Sequence, residues 1–179
     1  MAFYIAILRG INISGKNKIK MADLRESLEN LGFTNVKTYI QSGNIIFEAL
    51  KAPVKKLSEM IQKKIVSNFG FSVLVIVKTP LEINETITNN PFLKQKNYDP
   101  SKFHVTFLSK LPRKIDLEKL SEVKSEDQVY CYGKDIYLYC PNGYGRTKLT
   151  NNFLEKLLAV SATTRNWKTV NNLYALTQS

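Results

Sequence analysis

The chain is poor in the residues from which most active sites are built. Among its 179 residues there are one histidine, one tryptophan and two cysteines. His104 has no evident Ser or Cys partner, and the carboxylates are scattered with no telling spacing, so no acid–base pair or activated nucleophile is nominated. Cys131 and Cys140 give neither a disulfide framework nor metal-ligand spacing. No metal site and no cofactor are expected, and a reduced, cytoplasmic protein is the default. No apolar run approaches the ~18 residues of a membrane span, which argues against a membrane partner. The run Phe3–Leu8 is also too short for a signal-peptide core, and no positive charge precedes it.

Arginine is scarce too. The chain carries 26 basic and 15 acidic side chains, a net charge of +11, yet only Arg9, Arg25, Arg113, Arg146 and Arg165 are arginine. Such a surplus either seeks phosphate-rich partners or is a solvated lysine surface of a composition also rich in Asn and Ile. The arginines say more, because a guanidinium offers a planar fork for carboxylate or phosphate that an ammonium lacks.

What is present is an alternation of buried-strand runs and helical patterns. "FYIAIL" reads as a strand buried on both faces. Met21, Leu24, Leu28 and Leu31 lie at helical spacing, with Gly32 as the stop. "VKTYI" and "NIIFE" flank Ser42-Gly43 as a two-residue hairpin turn. Pro53 opens a helix with Val54, Leu57, Ile61 and Ile65 on its apolar stripe, and "FSVLVIV" closes a β-α-β-β-α-β unit. A polar stretch with Pro80, Pro91 and Pro100 follows, carrying a short helix near 81–88. The pattern then resumes: a strand "KFHVTFL", a helix "DLEKLSEV", a hairpin turning at Gly133-Lys134, a helix "LTNNFLEKLLAV" and a last helix that presents Trp167, Val170 and Leu173 on one face. The expectation is an α+β fold of two tandem ferredoxin-like (split β-α-β) subdomains with antiparallel sheets, the second lacking a clear last strand and ending in a helix. The boundaries fall at 1–78, a connecting segment 79–101, and 102–179.

"LRGINISGKNK" matches G-x-x-x-x-G-K from Gly10 to Lys16, one residue short of a P-loop. The next residue, Asn17, is not the Ser or Thr that would hold Mg²⁺. Helical periodicity starts only at Met21, and the β-β hairpin breaks the alternation that a parallel P-loop sheet needs. The match is read as coincidence. The same topology nevertheless puts "RGIN" and "QSGN" at one sheet edge, where Arg9, Asn12, Lys16, Gln41, Ser42 and Asn44 converge around Gly10, Gly15 and Gly43. That edge suits an anion or a polar planar group. Equally, its Asn and Gln side chains satisfy turn backbone.

The stretch Tyr4–Phe47, together with "TTRNWKTVNNL" near the end, resembles the bacterial domain-of-unknown-function family 1697. "PNGYGRTKL" also fits, with Thr147 where Ser is expected. The resemblance implies two ferredoxin-like subdomains and no established activity. Its motif positions are Leu8, Arg9, Gly10, Ile11, Asn12, Gln41, Ser42, Gly43, Asn44, Thr164, Arg165, Asn166 and Trp167.

Three further features are candidates. In "TTRNW", Thr163 or Thr164 would cap the last helix and leave Arg165 in its first turn, where a cation gains nothing from the helix dipole. Arg165 and Asn166 therefore answer to a ligand, or Arg165 is a buried ion pair or carbonyl clamp. "NGYGRTK" sets Arg146 and Lys148 beside a helix start as a secondary anion site, against the plain reading that Gly143 and Gly145 turn the chain. In the second hairpin Tyr130, Tyr132, Tyr137 and Tyr139 share one face, which is either a stacking platform for bases or a surface packed against the other subdomain. The leading expectation is a non-catalytic binding protein for a phosphate-bearing ligand, nucleic acid included. The alternatives are an enzyme acting on a small anionic metabolite in an inter-subdomain cleft, and a protein-interaction module whose motifs are structural.

Overall fold

The structure, a computed structural model, describes residues 1–179. It is an α+β chain that divides into two compact units, residues 1–84 with 173–179, and residues 85–172.

The first unit runs β1 (Ala2–Leu8), α1 (Met21–Glu29), β2 (Thr34–Tyr39), β3 (Asn44–Ala49), α2 (Val54–Phe69) and β4 (Val75–Lys78). Its strands are ordered β2-β3-β1-β4, and every neighbouring pair is antiparallel. Alternation along β1 sends Tyr4, Ala6 and Leu8 into the core that also holds Leu24 and Leu28 of α1 and Leu57, Ile61 and Ile65 of α2. Ile5 and Ile7, on the other face, are also wholly buried. That double burial is why the strand reads as one continuous apolar run. Phe47 stacks on Tyr4 and Phe33, and the Tyr4 hydroxyl both donates to the Ala52 carbonyl and accepts its N–H.

The second unit repeats the plan. Helix α3 (Pro80–Thr88), which begins in the first unit, leads into β5 (Phe103–Leu108), α4 (Lys114–Ser121), β6 (Gln128–Tyr132), β7 (Asp135–Tyr139), α5 (Asn151–Leu158), β8 (Ala162–Asn166) and α6 (Trp167–Leu176), whose last residues belong to the first unit again. The order β6-β7-β5-β8 is again antiparallel throughout, and both sheets are compatible with a tandem ferredoxin-like arrangement. Leu108, Leu120, Ile136, Leu138, Leu154 and Leu158 form the core beneath α4 and α5.

The structure corrects the expected pattern in three places. The second sheet does have its last strand: Ala162–Asn166 pairs with β5 along its whole length. Hydropathy hides it because, beside Ala162, its buried residues are polar. Thr163 and Arg165 are buried, and the Thr164 hydroxyl sits 2.6 Å from that of Thr106 on β5 while donating to Asn151 Oδ1. The cap of the last helix accordingly moves from Thr163 or Thr164 to Asn166, whose Oδ1 accepts the Thr169 N–H at 2.8 Å. Arg165 is a strand residue, not a first-turn helical one. Finally, the β2–β3 connection is a four-residue loop, since Tyr39 pairs with Asn44 and leaves residues 40–43 between them. The Gly43 carbonyl is taken by the Leu8 N–H at 2.8 Å, which draws the turn onto β1.

Candidate ligand-binding groove

The β1–α1 loop turns on a chain of left-handed residues: Gly10, Asn12, Ser14, Gly15 and Asn17 all have positive φ. Ser14 and Gly15 form the centre of a tight turn closed by the Lys16 N–H on the Ile13 carbonyl, with Asn12 N–H bonded to the Asn17 carbonyl below it. Positive φ at both central residues is the signature of a hairpin turn of type I′. The P-loop look-alike is thus a miniature hairpin with Lys16 exposed at its tip, and α1 begins five residues later.

Two asparagines hold this loop. Asn17 Nδ2 donates to the Gly10 carbonyl at 3.0 Å. Asn12 accepts the Ile19 N–H and donates to both the Ile19 and Gln41 carbonyls. The bond to Gln41 ties "RGIN" to "QSGN". Asn44 is fully buried, its Nδ2 donating to the Tyr39 carbonyl and to Ser42 Oγ. Gly43 is packed so closely that an added Cβ would lie 2.8 Å from Leu8 Cβ and 2.9 Å from Ile11 Cδ1. These amides work on the backbone. Arg9 and Ser42 are half-buried, whereas Lys16 and Gln41 are exposed.

The opening at this edge is a groove of about 700 Å³ lined by Asn12, Lys18, Lys20, Met21, Gln41 and Phe69 among others, with Asp23 on its wall. Its size is that of a small-molecule site. Ile19 is buried between the exposed Lys18 and Lys20, and all three residues line the groove. Lys20 is the N-cap position of α1 and makes no side-chain capping bond. The first-turn amides carry the positive end of the helix dipole, and Asp23, in the same turn, sets a negative charge beside it. Lys18, Lys20, Met21 and Phe69 escaped the sequence reading. The alternation in "NKIK" before the first helical turn was the available signal.

The remaining candidates lie in the second unit. Arg165 is buried, and its Nη1 donates to Thr163 Oγ1 and to the Thr164 carbonyl, each at 2.9 Å. Burial pushes its pKa down to about 10, with Tyr144 acting weakly against that shift, so it stays charged at neutral pH. Asn166 is the helix cap already described. Arg146 and Lys148 are exposed, but the loop they share holds an anion of its own: Asp127 accepts from the Thr147 hydroxyl, whose oxygen in turn accepts the Leu149 N–H. The following helix is capped by Thr150. A carboxylate already bonded into this loop works against a second anion there. Burial raises both Cys131 and Cys140 to about 11, which leaves them inert as nucleophiles at neutral pH. No group of three or more His, Cys, Asp or Glu side chains is placed to hold a metal ion.

The tyrosine face is divided. Tyr137 is fully buried and donates to the Thr86 carbonyl at 2.7 Å, while Tyr139 stacks on Tyr98 with ring centres 4.0 Å apart. Thr86 of α3 meets Tyr137, and Tyr98, between α3 and β5, covers Tyr139. Tyr130 and Tyr132 on the edge strand remain 48% and 54% exposed.

A family model described as "Protein of unknown function (DUF1697)" matches residues 1–137. The chain belongs to the DUF1697 family. No curated protein matches it. Among solved structures this DUF1697 protein is similar to a conserved bacterial protein from Streptococcus pneumoniae, at 24% identity over 98% of each chain with a TM-score of 0.76. At that identity the likeness speaks for the fold alone.

Proposed function

We propose that this DUF1697 protein is a non-catalytic binding protein for a phosphate-bearing ligand, held in the groove of the first unit. The observation that carries this reading is the placement of Lys18, Lys20 and the Gln41 side chain around the start of α1, a helix without a side-chain cap. Two ammonium groups and free helix-end amides attract the same charge. Met21 and Phe69 give the groove an apolar wall for the rest of the ligand, and Asp23 offers an acceptor for a ligand hydroxyl or amine. The groove contains no Cys, His or carboxylate pair, which supports binding over catalysis. Of the residues first nominated, Gln41 and Asn12 line this groove, and Arg9, Lys16 and Ser42 lie on the same loops outside its lining.

Calorimetric titration with inorganic phosphate and a panel of nucleoside and sugar phosphates tests this. The double variant Lys18→Ala/Lys20→Ala should lose most of the affinity, and Asp23→Asn should raise it for ligands whose phosphate meets the lysines. The reading fails if no phosphate ligand binds, or if the double variant binds as well as the wild type.

A further inference from the structure

Strand β6 is the outer edge of the second sheet. Along it Gln128, Tyr130 and Tyr132 occupy alternate positions on one face, and all three are exposed. Residues two apart on a strand are separated by ~6.7 Å, so the row offers one amide and two aromatic rings at the pitch of successive bases in an extended single strand. Directly across β7, Gln128 faces Tyr139, Tyr130 faces Tyr137 and Tyr132 faces Asp135. The row therefore continues inward to the Tyr139–Tyr98 stack.

Three exposed lysines stand around this row and would meet the phosphates of a strand laid along it. The segment Phe92–Tyr98 is packed against Tyr139 at both ends, and between them it carries the exposed Lys94 and Lys96. Lys134 stands exposed at the hairpin turn, just beyond Tyr132. Carboxylates stand at the Gln128 end of the row and beside Tyr98: Asp127 accepts from Thr147, Glu126 accepts from Asn142, and Asp99 is exposed, while Asp135 is buried and accepts from the Thr86 hydroxyl. The lysines face solvent, and Lys134 stands at the end of the row away from Glu126 and Asp127, next to the exposed rings of Tyr132 and Tyr130. A peptide adding itself to this edge would use the strand's free backbone groups, and would leave both the ring row and the lysines unexplained.

We infer that β6 is a docking edge for single-stranded nucleic acid, with two bases stacked on Tyr130 and Tyr132, Gln128 bonding a neighbouring base edge, and the phosphates passing Lys134, Lys94 and Lys96. These residues belong to the second unit, and the inference is independent of the groove in the first.

The test is fluorescence anisotropy of labelled oligothymidylate and oligouridylate at physiological salt. Tyr130→Ala/Tyr132→Ala should weaken binding by about tenfold or more per ring, as loss of base stacking does. Tyr130→Phe/Tyr132→Phe should bind nearly as the parent, because the rings remain. Lys18→Ala/Lys20→Ala should leave this binding unchanged, which separates failure of this site from failure of the groove. Circular dichroism of each variant should match the wild type, since the substituted rings are exposed. The inference is overturned if no strand binds at physiological salt, or if the alanine pair binds as wild type. Displacement by inorganic polyphosphate as effective as by unlabelled oligonucleotide would also sink it, by making charge the whole of the interaction. A concentration-dependent dimer lost only in the alanine pair would assign the edge to a second copy of the chain and overturn it equally.

Discussion

The side chain of Asn12 pairs with both backbone groups of Ile19, Oδ1 accepting its N–H and Nδ2 donating to its carbonyl, each at 2.9 Å. One side-chain amide thereby imitates a strand partner and fixes where the β1–α1 loop ends. The same Nδ2 reaches the Gln41 carbonyl at 3.1 Å and joins the two sequence motifs. Asn12 also sits at φ 55, a conformation that Asn tolerates better than most residues.

Replacing Asn12 with Ala removes all three bonds and should cost about 1.5–4.5 kcal/mol, at ~0.5–1.5 kcal/mol net for each hydrogen bond. Asn12→Asp keeps the acceptor and the backbone preference, so it should lose less. Urea denaturation of the two variants checks the order. An Ala variant as stable as the wild type would show that the loop is held by other means.

Gly43 and Gly133 both have positive φ, at 79 and 58, but only Gly43 is hemmed in. A methyl group on Gly43 meets Leu8 and Ile11 below 3.0 Å, whereas nothing lies within 4 Å of one on Gly133. Gly133→Ala should therefore cost ~1 kcal/mol for backbone conformation alone. Gly43→Ala should cost ~3 kcal/mol or more, because backbone strain and overpacking act together. Equal melting temperatures for the two variants would contradict the packing argument.

Tyr137 and Asp135 anchor α3 to the second sheet through one residue, Thr86, whose carbonyl accepts from the phenol and whose hydroxyl donates to the carboxylate. Tyr137→Phe should lose ~1–2 kcal/mol, the value of a buried hydrogen bond plus an orphaned acceptor. Tyr130→Phe, at an exposed ring, should change stability negligibly. Hydrogen exchange offers a second readout: amides of α3 should exchange faster in Tyr137→Phe, while those of β5 keep their protection.

Asp116 accepts a bidentate fork from Arg113, at 2.7 and 3.1 Å, and a longer bond from Lys119. The Arg113 hydrogen bonds lead the causes that hold its carboxyl below the ordinary 3.8. The folded protein thus binds that proton less tightly than the unfolded chain. The stabilisation is complete above the unfolded value and is lost as pH falls through the lower folded one. Asp116→Asn should flatten the acid limb of a stability–pH curve below about pH 4 and leave the curve's shape near neutrality unaltered. An unchanged acid limb would remove Asp116 from the set of groups that drive acid unfolding.

The reading of the first unit succeeded where burial and hydrophobicity coincide. Tyr4, Ala6 and Leu8 alternate with Ile5 and Ile7, and Leu57, Ile61 and Ile65 recur at helical spacing, so periodicity alone locates β1 and α2. It failed at β8, because Thr163, Thr164 and Arg165 are polar residues inside a sheet. Their burial is made tolerable by the Thr106–Thr164 hydroxyl pair and by the bonds from Arg165 to Thr163 Oγ1 and the Thr164 carbonyl, contacts between segments far apart in the chain or set by strand geometry. At the candidate groove the sequence pointed to the two loops that meet there, and the groove's lining adds lysines that the reading had not named. Asn12 and Asn44 carry the geometry, while Lys18 and Lys20 line the groove.

The sequence by itself determined the class of fold, the order of its β-α-β-β-α units and the meeting of "RGIN" with "QSGN", because hydrophobic period and short loops leave little freedom in how such elements pair. Tertiary structure alone decided which polar groups are satisfied internally and which stay open. Tyr137 lies under α3 while Tyr130, opposite it on the next strand, faces solvent. That difference depends on which segment lies over a sheet face, and local pattern does not encode it: a half-buried tyrosine strand has the same sequence period whether a helix or water covers it.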